Sequence, residues 1–203
     1  MATQSEIKSF FAQYAPAVVN SCYYNTLFPS VVLAQAALET GYGKTVRKAA
    51  NNMFGIKPGS GWSGKVISLN TQEVIGGVRK TFAGTGKTYP SYSAAMADGA
   101  DPQTVFRAYD SISDSITDHS RLIVESERYK AVREGKTPDE QCEALQACGY
   151  ATGTNYANSL KIIIQANNLT KYDTKKKIMK TLEIILSVVA IVLAGLTLYK
   201  NIA

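Results

Sequence analysis

AQAALETGYGK, residues 34–44, closes an apolar run that begins at Pro29 and ends in a Gly-Tyr-Gly turn. Pro29 and Ser30 are helix-start signals and Gly41 is a stop signal, so the pattern predicts a helix over 29–41. Between the first and last residues of SVVLAQAALET, residues 30–40, the side chains with strong polar function are Gln35 and Glu39. Four residues apart, they share one face. A carboxylate on an otherwise buried helix is costly to ionise, and the partial negative charge of the helix C-terminus adds to that cost. Both effects raise its pKa. A carboxylic acid kept protonated near neutrality can donate a proton to a leaving group. Glu39 is thus the candidate general acid, weighed against a plain solvated glutamate at a helix end.

Outward from this helix, residues 5–23 read as a preceding helix, and NNMFGIKPGSGWSG, residues 51–64, reads as loop. From Lys65 to Phe82, KVISLNTQEVI, the pair Gly76–Gly77 and VRKTF read as one β-hairpin, because tight hairpin turns need positive φ. A polar, glycine-rich stretch follows over 83–104. Its YPSYSAAMAD, residues 89–98, recurs loosely as YDSISDSITD, residues 109–118, with Tyr89/Tyr109, Ser91/Ser111 and Asp98/Asp118 in register. One echo does not make a repeat architecture. Helical patterns resume over 111–129, 139–148 and 156–169. The expected body is α+β, mostly helical with a small β-hairpin lobe.

The chain of 203 residues, 45% hydrophobic, has room for a single core plus an appendage. Five of its 22 Lys and Arg, and one of its 16 Asp and Glu, fall in the last 29 residues, so the basic excess belongs largely to the tail. That distribution argues against nucleic acid as a partner, which would require clustered basic side chains on the folded body. Cys22, Cys142 and Cys148 have no ligand spacing and form an odd set, so ordinary thiols are expected and neither a metal nor a cofactor. The first residues lack the basic start and apolar core of a secretory signal. Lys175–Lys177 read as a basic linker (173–177), residues 178–199 as a single transmembrane helix, and 200–203 as a short tail. Lys175, Lys176, Lys177 and Lys180 precede the apolar run and Lys200 follows it. The positive-inside rule therefore keeps the body, residues 1–172, in the cytoplasm.

AQAALETGYGK at 34–44, NNMFGIK at 51–57, WSGK from Trp62, TQE ending at Glu73, FRAYDS from Phe106, and GYAT with NYA over 149–157 occur in the order seen in glycoside hydrolase family 73. The chain resembles that family, the peptidoglycan endo-β-N-acetylglucosaminidases of bacteria and phages, over roughly residues 5–170. The resemblance implies a lysozyme-like fold and hydrolysis of the bond between N-acetylglucosamine and N-acetylmuramic acid. Glu39 matches the family's general acid, Glu73 its second carboxylate on the β-lobe, and Tyr150 a tyrosine beside the acid. Gln35, Asn52, Phe54, Trp62, Tyr109 and Tyr156 become candidate substrate contacts, although Asn51 and Asn52 also fit turn-shaping roles and aromatic residues are usually core. His119, the only histidine, reads as structural. The stretch 83–104 departs from the family as an insertion, either a lid over the groove or an inert loop. A muramidase or lytic transglycosylase on the same scaffold is the alternative chemistry. The tail fits a phage endolysin held inside until the membrane is breached, or a bacterial autolysin inserted the other way.

Overall fold

A computed structural model describes residues 2–23, 26–44, 50–151 and 153–173, and the separate positions Thr181, Ile185, Leu186 and Val189. The transmembrane helix expected over 178–199 lies outside the described residues except at those positions. Among the described residues no helix is long and apolar enough to cross a membrane.

Helix α1 (Gln4–Tyr23) leads into α2 (Pro29–Thr40), which is buried at every position from Pro29 to Ala37. A helix apolar all round belongs inside a core. Around it pack α1, α6 (Pro138–Ala147) and α7 (Tyr156–Ala166), with Leu33, Val31, Leu145, Leu160 and Val18 fully buried between them. Both ends of α2 are tied. The Ser30 backbone N–H and hydroxyl donate to the two oxygens of Asp173, at 2.8 and 2.7 Å, placing a carboxylate where the helix dipole favours one. At the other end Gly41 is left-handed (φ 54°), its N–H returning to Ala37 and Leu38. Tyr42 also has positive φ and is held edge-on by the rings of Phe10 and Phe11.

The hairpin is real but shorter than the sequence suggested. β2 (Thr71–Ile75) pairs with β3 (Val78–Phe82) through Gly76 (φ 60°) and Gly77 (φ 79°), the two positive-φ positions of a primed turn. KVIS does not join it. β1 (Val66–Ser68) is buried on both faces and forms the centre of a separate antiparallel sheet, between β4 (Thr88–Tyr89) and β5 (Val105–Arg107).

The stretch 83–104 is folded and is not an inert loop. It supplies β4 and a short helix, α3 (Tyr92–Ala97), and closes a small core of Val66, Tyr89, Ala95, Ala100 and Val105. The sequence echo is also structural. On either side of β1 a strand runs into a helix: β4 into α3, and β5 into α4 (Ile112–Glu125). Ser91 and Ser111 cap the two helices by accepting from the third backbone N–H. The Tyr89 hydroxyl donates to Asp98 at 2.8 Å, and that of Tyr109 to Asp118 at 2.7 Å. A cation completes each unit, Lys87 on Asp98 and Arg107 on Asp118.

Candidate active site

Glu39 projects from the last turn of α2 and Glu73 from β2, and both line one groove of about 390 Å³. The floor is the loop 52–57, with Phe54 on it, and Phe106 of β5 completes the wall. Asn52 fixes that floor: its amide donates to the carbonyls of Ile56 and Arg107 and accepts from the Ile56 N–H. With its polar atoms spent on backbone, Asn52 shapes the groove instead of reading a ligand.

Glu39 is exposed at the groove, with the Tyr156 hydroxyl against its carboxyl. Withheld water raises its pKa, while a hydrogen bond from the Tyr156 hydroxyl at 3.1 Å, which favours the ionised form, opposes the rise; the net direction is upward. Gln35 has no exposed surface, and its amide donates to the Tyr156 hydroxyl at 3.2 Å. Gln35 and Tyr156 therefore form a hydrogen-bonded chain that ends on the Glu39 carboxyl. Burial, and then the charge of Glu39, push the Tyr156 phenol upward, so it stays a neutral donor.

Tyr150 stacks on Tyr156, ring centroids 5.6 Å apart, and its hydroxyl lies 3.0 Å from His119 Nε2. Burial raises Tyr150 well above the ordinary phenol range, and its titratable neighbours, Tyr156 first and then Glu39, act in the same direction. Across the groove Glu73 pairs with Lys57 at 2.7 Å, and Lys57 also donates to Gln103 at 3.2 Å. Lys57 escaped the sequence reading although it ends the NNMFGIK motif. Its signal is a cation between two loops, which sequence alone does not connect to Glu73.

Trp62 and Tyr109 lie elsewhere. They meet edge-on and border a separate hollow with Asp114, Thr117 and Arg121, while the Arg107 guanidinium covers the Trp62 ring at 4.6 Å. Among the described residues no group of three His, Cys, Asp or Glu is placed to hold a metal.

The family model described as mannosyl-glycoprotein endo-β-N-acetylglucosaminidase matches residues 15–169. The exo-glucosaminidase LytG of Bacillus subtilis is 30% identical over 164 residues, covering 78% of this chain and 50% of that protein. The peptidoglycan hydrolase FlgJ of Escherichia coli K12 is 29% identical over 163 residues, 78% of this chain and 46% of the relative. The chain thus spans about half the length of these curated relatives. A crystal structure of a peptidoglycan hydrolase mutant from Sphingomonas sp. A1 superposes with a TM-score of 0.62 at 31% identity, covering 81% of this chain and 96% of that one. With Glu39 and Glu73 lining one groove on this scaffold, the chain belongs to the glucosaminidase family of glycoside hydrolases, family 73.

Proposed function

We propose that the protein hydrolyses peptidoglycan glycan strands at the β-1,4 bond between N-acetylglucosamine and N-acetylmuramic acid. The observation that carries this reading is the asymmetry of the two groove carboxylates: Glu39 is desolvated toward its protonated form, and Glu73 is ion-paired. Different environments for two carboxylates of one groove support Glu39 as the acid of a glycosidase and Glu73 as its partner. Glu39 gives its proton to the glycosidic oxygen as the C1–O bond breaks. Glu73 faces the positive charge that builds on the sugar and takes the proton of the attacking water. Phe54 offers an apolar wall to the ring, and Tyr150 stands beside the acid.

Glu39→Gln keeps shape and hydrogen bonding while removing the transferable proton, and should lower turnover on purified peptidoglycan by about 100-fold or more. Activity within about tenfold of wild type removes Glu39 from the role. Mass spectrometry of the products reads the bond. Reducing-end N-acetylglucosamine is expected, whereas reducing-end N-acetylmuramic acid makes the protein a muramidase and anhydro-muramic ends a lytic transglycosylase.

The reading includes a membrane anchor over 178–199, with the catalytic domain cytoplasmic until lysis, as suits a phage endolysin. Its support is the charge-free run from Ile184 to Tyr199 behind four lysines. Asp173, which precedes that segment, caps the N-terminus of α2, and Glu39 lies nine residues along, about 14 Å at the rise of an α-helix. An anchored domain would therefore hold its groove at the far end of α2 from the tether. Protease applied to intact spheroplasts should spare the domain, and digestion before permeabilisation would place it outside.

A further inference from the structure

We propose that His119 is a positioning residue of this reaction, an imidazole whose Nε2–H donates to the Tyr150 hydroxyl and so turns the phenol's own proton toward the substrate. The inference rests on the glycosidase reading above and goes beyond it in naming a residue outside the groove.

His119 has no exposed surface and stacks on Phe54, ring centroids 3.7 Å apart and planes within 14°, so its orientation is fixed by the ring that forms the groove floor. Its Nε2 lies 3.0 Å from the Tyr150 hydroxyl, and among the described residues Nδ1 has no hydrogen-bond partner. Burial holds the ring neutral against the opposing pull of Asp118, whose own charge is met by Arg107 and Arg121. A neutral ring carries its proton on one nitrogen. On Nδ1 it would leave a buried donor unmatched, whereas on Nε2 it leaves only an unfilled lone pair at Nδ1. Orphaned buried N–H groups are the rarer and costlier defect. The proton therefore sits on Nε2 and points at Tyr150.

The consequence falls on Tyr150. A phenol that accepts from His119 keeps its single proton for another acceptor. Tyr150 is partly exposed and stacks on Tyr156, whose hydroxyl donates to Glu39, so its proton is left for a group bound next to that pair. An amide carbonyl oxygen, as on the N-acetyl group of the sugar, is the acceptor of matching chemistry. Were the tautomer reversed, Tyr150 would spend its proton on His119 and present only lone pairs to a carbonyl.

His119 is the single histidine of the chain, so ¹⁵N-histidine labelling gives one imidazole to observe. Two-bond ¹H–¹⁵N spectra of the intact protein should show Nε2 protonated and Nδ1 bare from pH 5 to 8. A proton on Nδ1, or an imidazolium in that range, overturns the proposal without any turnover being measured. In kinetics on a soluble glycan fragment, His119→Phe and Tyr150→Phe should each lower kcat by about fivefold to tenfold, the worth of one hydrogen bond, with KM little changed. The double variant should be no slower than the slower single one, and His119→Gln, which can still donate, should recover most of the loss. Additive losses would make His119 a packing residue only. A wild type inactive on peptidoglycan would overturn the glycosidase reading itself, whereas an active wild type with the wrong tautomer or additive losses overturns the role of His119 alone.

Discussion

The two strand–helix units beside β1 provide a test of burial with the chemistry nearly constant. In each, an aspartate receives a tyrosine hydroxyl and a cation, Asp118 taking Arg121 as a second one, but Asp118 is 7% exposed with Arg107 at 12%, whereas Asp98 is 42% exposed with Lys87 at 63%. At Asp118, burial favours the neutral acid, yet the donors Tyr109, Arg107 and Arg121 and the Arg107 charge hold the carboxyl below its usual range. Asp118→Ala would leave a largely enclosed guanidinium and a half-buried phenol without their acceptor, a loss of about 3 kcal/mol. With a urea dependence of about 2 kcal/mol per molar, the unfolding midpoint should fall by about 1.5 M. Asp98→Ala exposes its partners to water that can replace the carboxylate, so the midpoint should stay close to wild type. Urea titration followed by circular dichroism, with the fluorescence of the single tryptophan, Trp62, as a local probe under Arg107, measures both variants. Equal losses for the two variants, or an Asp118→Ala midpoint within about 0.5 M of wild type, would refute the argument that burial sets the difference.

Because the folded protein binds the Glu39 proton more tightly than the unfolded chain does, wild-type stability should decline as pH rises from the ordinary glutamate range through the raised pKa. Thermal melts of Glu39→Gln should lack that component, lying at or above wild type at pH 7 to 8 and converging with it near pH 4; a variant less stable than wild type at pH 8 contradicts the desolvation. The same raised pKa places the fall of kcat/KM on the alkaline side of the profile, which a pH–rate curve on soluble glycan would read. At Gly84, a Cβ would come within 2.4 Å of the Leu69 backbone, so Gly84→Ala should destabilise the protein by about 1–3 kcal/mol in chemical denaturation, and an unchanged midpoint would mean that this crossing relaxes freely.

What the sequence disclosed and what it hid divide along sequence separation. Helix α2 was legible because its signals are local: Pro29 at the start, Gly41 at the stop, and an apolar surface broken by Gln35 and Glu39. The turn at Gly76–Gly77 was legible for the same reason. β1 was legible as a strand but not in its pairing, because its partners, Tyr89 and Arg107, come from later segments that only the fold brings alongside. The site shows the same divide. Glu39 and Glu73 were named from their motifs, but that Lys57 neutralises Glu73 depends on how the hairpin leans on loop 52–57. Likewise, polarity alone could not tell Gln35 from a substrate contact; what decides is that α7 sets Tyr156 between Gln35 and the acid. The groove is thus built by long-range packing around a locally encoded carboxylate. If Glu39 is the proton donor, as proposed, replacing Tyr156, Lys57 or His119 should lower turnover while Glu39→Gln still abolishes it.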